Sequence, residues 1–422
     1  MTDSNPPLRV LFLASAKSYR MAPFLAAAER LGVEAVQGLD VPPPLVAKAR
    51  AETPSVLPLD YRDVDKSTTL IRRYADKQPV TAIVGLDDSG AVMAALASAA
   101  LGLPHNSPDA THASRNKHLM RRLFARGHVP SPGFRLWHFD DDPEIAAEET
   151  RYPCVLKPTA LSGSQGVIRA DGPGEFVAAW ERLRPILAQE RCDEILVEDY
   201  IAGVEVALEG LLDGGRLHVL ALFDKPDPLT GPFFEETLYV SPSRLPDSAQ
   251  EAIADATLAA AMALGLRTGP IHAELRVNEQ GPWVVEVAAR SIGGLCSQTL
   301  RFGDDVSLEE LILRQALGLP IDTLELQAYA RGVMMIPIPA AGVLTGVTGL
   351  EEAAAMPLIE DIEITAPLQY PVTPLPEGNS YLGFIFARGE TPEAVETALR
   401  AAHARLVFVI LPELELVLRP GS

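Results

Sequence analysis

The sequence predicts a three-part chain: an α/β domain, then an α+β domain, then a small and mostly β C-terminal domain. Three observations predict it. Short apolar runs alternate with helical patterns over residues 1–106, which is the signature of βαβ units and a doubly wound sheet. Over residues 107–327 the strands fall into hairpins set between separate helices, and over residues 328–422 short strands broken by Gly and Pro take over. The chain of 422 residues is long enough for several cores, and its 47% hydrophobic and 22% charged content is that of an ordinary globular protein.

The first strand is Arg9–Ala14, whose unbroken apolar run suits a parallel strand covered on both faces. A helix follows over Met21–Leu31 and stops at Gly32. VEAVQGLD (33–40) and Val80–Gly85 are the next strands expected, and an Ala-rich helix comes after them. The charge-free stretch Ser89–Ser107 is interrupted by Gly90, Ser98 and Gly102 and its Ala-rich part ends at Pro104, too polar and too broken to span a bilayer. Asp109–Gly127 reads as one basic amphipathic helix with Leu119, Met120, Leu123 and Phe124 as its apolar stripe. YPCVLKPTALSGSQGVIRA then gives a strand ending at Lys157-Pro158, a loop of small residues, and a strand over Gly166–Ala170. Next come a helix (Glu175–Ala188), the strand EILVEDYI, a hairpin turning at Asp213-Gly214-Gly215, and a helix over Ser248–Leu264. Ile271–Val277 and Trp283–Ala288 pair across NEQG. In the last part RGVMMIPIPA, VLTGVTGL, LIEDIEIT, SYLGFIFARG and LVFVIL are strands, and Pro392 opens a helix running to Leu406.

The charge balance limits what the protein does. With 36 basic and 56 acidic residues the net charge is −20, and such a field repels nucleic acid and anionic membranes alike. Three cysteines (Cys154, Cys192, Cys296) without a metal-ligand spacing suggest neither a disulfide framework nor a zinc site and fit a reducing cytoplasm. The opening MTDSNPPLRVLFLASA carries an acid where a secretory signal needs a basic region.

Four groups of residues carry chemistry. Lys157 ends a strand and is followed by Ser162, Gly163, Ser164, Gln165 and Gly166, a loop whose backbone amides can cradle polyphosphate; a plain hairpin loop beside a surface lysine is the other reading. Glu274 and Glu286 stand in the two strands of one hairpin, where paired carboxylates suit a shared magnesium ion or, more plainly, a solvated strand face. The apolar neighbours Val285 and Val287 are expected on the face opposite Glu286. Arg290 leads into Ser291, Gly293 and Gly294, either a fork for a carboxylate or phosphoryl oxygen with converging amides, or a surface turn. His272 lies two residues before Glu274 and either orients a substrate or packs as a satisfied histidine; Lys225, Glu235 and Glu236 lie in a Pro/Gly-rich loop (224–243).

Taken in order, VLKP with its small-residue loop, VEDYIAGVE, HAELR and VVEVAARSIGG resemble the ATP-grasp superfamily. The likeness spans about residues 1–320 and is greatest to carboxylate–amine ligases of the L-amino-acid ligase type, which also carry a β-rich C-terminal domain like that expected at 328–422. The resemblance implies an ATP-grasp fold preceded by the βαβ domain. It implies that Lys117 and Lys157 contact nucleotide phosphates and that Ser162 to Gly166 close over them. It places the adenine hinge at Glu198, Asp199, Tyr200 and Ile201 and the ribose acid at Glu205. Glu274 and Glu286 become ligands of Mg2+ or Mn2+, and Arg290 the catalytic arginine at the acyl phosphate. The substrate-covering segment brings in Lys225 and Glu236, with His272, Ser291, Gly293 and Gly294 as further substrate contacts. Many relatives carry Asn where this chain has Ala288, so water or phosphate completes the metal shell.

The implied activity is ATP-dependent joining of two amino acids through an acyl phosphate, releasing ADP and phosphate. Its partners are a small carboxylate and a small amine, with neither nucleic acid nor membrane, and a homodimer is left open. Two other readings stand beside it: a purine-pathway or bicarbonate-activating ligase, and a non-catalytic nucleotide-binding module.

Overall fold

The computed structural model describes residues 7–16, 18–41, 56–190 and 192–412, so the first six residues of the opening segment lie outside the description. The chain divides into two compact units: residues 1–132, 206–223 and 245–328 form the first, and residues 133–205, 224–244 and 329–422 the second.

In the first unit a four-stranded parallel sheet runs in the order Val56–Leu59, Glu34–Asp40, Arg9–Ser15, Ala82–Gly85. Helices Met21–Arg30, Val64–Ala75 and Asp88–Leu101 accompany it. Its core is built from Leu11, Leu13, Val36, Leu59, Ile71, Met93 and Ala97. The strand Val56–Leu59 and the helix Val64–Ala75 are additions to the sequence reading. The first contains Pro58 at the sheet edge, where a missing N–H is tolerated. The second buries Ser67 and Ile71 and packs Leu70, Tyr74 and Ala75 against the same core.

The helix expected over Asp109–Gly127 is two helices, Pro108–Arg115 and Lys117–Arg126. Asn116 separates them: its backbone is extended and its side chain accepts the Leu119 N–H, so it ends one helix and caps the next. The strands Gly281–Ala288, Gly269–Asn278, Val204–Asp213 and Arg216–Asp224 neighbour one another in that order. The helix Asp247–Leu264 packs on this sheet around Phe124, Leu208, Ile253, Ala260, Ile271, Leu275, Val284 and Val287.

In the second unit an antiparallel sheet runs Phe134–His138, Glu194–Asp199, Cys154–Pro158, Ile168–Ala170. Helix Pro173–Glu190 covers it through Phe176, Trp180, Leu183 and Leu187. The strand-rich C-terminal region supplies Ala330–Ile336, Gly383–Gly389 and Ile359–Ile364, which pair antiparallel in that order beyond Leu238–Ser241. A second small sheet joins Tyr370–Val372, Gly342–Thr348 and Val407–Leu411. Helix Pro392–His403 opens on Pro392 behind the capping hydroxyl of Thr391 and buries Val395, Leu399 and Ala402. No helix among the described residues is long and apolar enough to cross a membrane.

Candidate active site

The residues singled out in the sequence gather into two clusters, one in each unit. In the first unit the hairpin register sets Glu274 directly opposite Glu286. Directly opposed residues share one face with Cβ atoms about 5 Å apart, so the two carboxylates repel unless a cation sits near. Lys117 supplies one: its Nζ lies 3.2 Å from Glu286 Oε2, and the lysine is buried at the first position of its helix.

The register slips after Glu274, pairing Leu275 with Val284 and leaving Val285 as a bulge. This corrects the expected alternation: Val284 and Val287 enter the core, and Val285 does not. The bulged Val285 carbonyl instead accepts a hydrogen bond from Nη2 of the wholly buried Arg121 at 2.5 Å.

His272 stands between two carboxylates. One ring nitrogen is 3.2 Å from Glu209 and the other 3.5 Å from Glu274. Glu209 is fully buried and also accepts the Ile292 N–H at 3.0 Å. Burial pushes the Glu209 carboxyl upward, which the hydrogen bond from His272 only partly opposes. Burial pushes the His272 imidazolium down, but its hydrogen bonds to Glu209 and Glu274 outweigh this and raise it.

Arg290 forms a fork-to-fork pair with Asp88: Nε donates to Oδ1 at 2.8 Å and Nη2 to Oδ2 at 3.2 Å. Its third nitrogen donates to the Ser291 carbonyl at 3.0 Å. Burial opposes the charge of Arg290, yet Asp88, Glu286 and Glu274 raise its affinity for the proton. The Ser291 hydroxyl accepts from Arg20, itself buried. Gly293 lies in a bend and Gly294 adopts φ +59°, a conformation that favours glycine.

In the second unit Lys157 and Glu198 form a buried ion pair of 2.6 Å across neighbouring strands. The backbone N–H of Asp199 donates to Gly133 and that of Tyr200 to Pro153, while the Asp199 carboxylate meets Arg151 at 3.3 Å. The Arg169 guanidinium stacks 4.1 Å above the Tyr200 ring; Ile201 follows at the strand's end, half-buried. Lys225 Nζ is held by Glu205 at 2.8 Å and by Glu236, so three candidate residues meet. Burial pushes the Glu235 carboxyl up. In the loop that contains Ser162, positive φ at Gly163, Ser164 and Gly166 turns the backbone tightly. A small apolar group of Val155, Leu229 and Phe234, with Val167 and Tyr200 against it, completes the cluster. All three cysteines are free thiols, and burial raises Cys154 to about 12.

Sequence reasoning missed Asp88, Arg20, Glu209 and Arg121. Glu209 had left a signal: a lone acid inside the apolar run VALEGLL needs a buried partner. Asp88 had another, standing at the carboxyl end of a parallel strand where α/β sheets bind ligands.

Three families match the chain: the ATP-grasp N-terminal domain over residues 25–105, the ATP-grasp domain over 150–299, and the L-amino acid ligase C-terminal domain 2 over 334–410. The chain belongs to the ATP-grasp superfamily. Its C-terminal region marks it as of the L-amino-acid ligase type, and the structure of an L-amino acid ligase from Bacillus licheniformis superposes with a TM-score of 0.78. That structure is 25% identical and covers 97% of this chain and all of its own. Among curated proteins, alanine–anticapsin ligase of Bacillus subtilis strain 168 is 27% identical over 54% of this chain and 53% of its own length. Dapdiamide A synthase of Enterobacter agglomerans is 28% identical over 45% of each. The chain thus spans about half the length of these two curated relatives.

Proposed function

We propose that the protein is an ATP-dependent carboxylate–amine ligase that joins L-amino acids through an acyl phosphate and releases ADP and phosphate. The observation that carries the reading is the directly opposed pair Glu274 and Glu286 with Lys117 at its edge. Two carboxylates and no sulfur or second imidazole make an oxygen-rich set, which fits magnesium or manganese. Bound there, the ion would neutralise phosphate charge during transfer to the carboxylate substrate.

The chain's own residues do the rest. Lys117 and Lys157 add positive charge to the phosphates. The loop 162–166 shields the acyl phosphate from water. Arg290, held by Asp88, offers charge to the oxygen that becomes negative when the amine attacks. His272, braced by Glu209, fixes the Glu274 carboxylate, with Ser291, Gly293 and Gly294 at the substrate side. Glu205, Lys225 and Glu236 supply the ribose and substrate wall. The N–H groups of Asp199 and Tyr200 are used within the protein, so adenine at the 198–201 hinge would be read by other backbone groups. The domain division that suits this reading is 1–106, 107–327 and 328–422, and one family match falls within each of the first, second and third parts. A cytoplasmic setting fits the free thiols.

The experiment measures ADP and phosphate release from ATP with amino acids supplied singly, in pairs, or replaced by bicarbonate. Release that requires two amino acids and yields a peptide supports the reading. Release driven by bicarbonate alone, or AMP as the product, overturns it.

A further inference from the structure

The small-residue loop is not held by its own hairpin alone. Within the second unit, a segment of the C-terminal region, residues 373–379, lies against it. Gly166 N–H donates to the Pro376 carbonyl at 2.9 Å. The Gln165 side chain donates to the Glu377 carbonyl at 2.9 Å and accepts from Asn379 Nδ2 at 3.2 Å. A Cβ added at Gly163 would reach ordinary contact distance, 3.4 Å, from the Asn379 carbonyl, so the two segments are neighbours there.

The segment is itself held by a turn of its own and by an ion pair to a neighbouring helix. Gly378 N–H closes a tight turn onto Pro374 at 2.8 Å, and a Cβ at Gly378 would meet the Thr373 carbonyl at 1.9 Å. The Glu377 carboxylate takes two parallel N–H bonds from Arg182, at 2.6 and 3.1 Å. Arg182 stands on the helix Pro173–Glu190 that follows the loop's second strand, and its guanidinium rests 4.7 Å from the Phe233 ring.

A loop rich in Gly and Ser loses more conformational entropy on ordering than most, so an ordered form needs anchors from outside. We propose that residues 373–379 are a latch for the phosphate-covering loop, with Glu377, Arg182, Gln165 and Asn379 as positioning residues. None of the four touches a reacting atom. They set how much of the time the loop stands ready to cover the nucleotide, so the C-terminal region takes part in excluding water from the acyl phosphate. This inference rests on the reading of residues 162–166 as the nucleotide loop.

The Arg182–Glu377 pair is half-exposed and each contact is modest alone, so the test removes two anchors together. In the full-length chain, the double variant Glu377→Ala/Asn379→Ala is compared with the native protein by amide hydrogen exchange over residues 162–166, by the KM for ATP against kcat, and by the ratio of ADP to peptide formed. Exchange about tenfold faster in the loop, an ATP KM about tenfold higher with a smaller fall in kcat, and ADP in excess of peptide are expected. The reversed pair Arg182→Glu/Glu377→Arg should recover more of the native exchange than Arg182→Glu alone. Loop exchange and ATP KM within twofold of native in the double variant overturn the latch. If strand 154–158 also exchanges faster, the reversed pair decides: recovery supports the latch, and its absence overturns it. The exchange measurement needs no turnover. A native protein that forms no peptide while its variant loop exchanges faster would overturn the ligase reading and leave the latch standing.

Discussion

The two clusters carry similar charges but arrange them in opposite ways. In the first unit the Glu274 and Glu286 side chains keep 22% and 25% of their surface exposed, and their supports (Lys117, His272, Glu209, Arg121) are buried behind them. In the second unit the Lys157 and Glu198 side chains are 6% and 3% exposed and form an ion pair with each other. A site meant to take a cation must leave carboxylate oxygens open and hold them by other atoms. A lysine meant for phosphate can be kept dry only if a carboxylate neutralises it meanwhile, because an unpaired buried charge is costly. On the proposed reading, the first arrangement would accept its ion without breaking an existing pair between the two carboxylates, and the second would share its cation with the incoming phosphate.

The largest effect that tests this contrast is at Glu286. Glu286→Gln keeps the shape and the hairpin but removes charge from the open face. Ligation should fall by about three orders of magnitude or more, as the loss of several kcal/mol of charge stabilisation implies, with a smaller loss of stability than at Lys157, because Glu286 is partly exposed while the buried Lys117 loses one carboxylate partner. Native turnover in the variant at ordinary magnesium would sink the metal assignment.

Lys157 should respond differently. Lys157→Met removes the cation 2.6 Å from the buried Glu198 carboxylate, and breaking a buried pair costs about 3–5 kcal/mol of stability. Adding Glu198→Leu should recover much of that stability, while ATP binding, followed by calorimetry, should stay weak in both. Stability lost at Glu286→Gln but not at Lys157→Met would reverse the comparison.

Arg290 lies between these extremes. Arg290→Ala should lower the ligation rate about 10- to 100-fold, the value of a charge-assisted hydrogen bond or two, and leave ATP affinity nearly intact. Arg290→Lys should recover only part, since it cannot bind Asp88 through two parallel donors. Loss of ATP binding in the alanine variant would make Arg290 a nucleotide contact.

What the sequence made legible follows from the range of the interactions. The Glu274–Glu286 pairing was readable because NEQG closes a short hairpin whose period of two fixes the register nearby. Lys157 was readable because it ends an apolar strand before a small-residue loop. The bulge at Val285 was not, since it depends on Arg121, which arrives from a helix 164 residues earlier. The break at Asn116 has a local cause, yet the amphipathic pattern runs straight across it and hides it. Asp88 was invisible as a partner because it meets Arg290 across 202 residues of chain, and no local pattern reports such a meeting. The latch at 373–379 is the same case, tied to Gln165 from over 200 residues away.

The smallest effect concerns that Asp88–Arg290 pair and pH. Burial alone would raise the Asp88 carboxyl, but the Arg290 charge and its two hydrogen bonds win, so the group lies below its ordinary value of 3.8. A carboxyl depressed on folding binds its proton more readily in the unfolded chain. The stability it contributes is therefore complete above its unfolded value and is lost as the pH falls toward the folded one. Asp88→Asn keeps one oxygen for Arg290 and cannot titrate. Between about pH 6 and pH 3 the native protein should lose stability more steeply than Asp88→Asn, by an amount assigned to this group, while near neutral pH the variant should be the less stable of the two. Denaturant midpoints for both proteins across that range measure it. Parallel curves would mean that Asp88 titrates alike in both states, and Arg290 would then be placed by Ser291 and its own burial rather than by the aspartate.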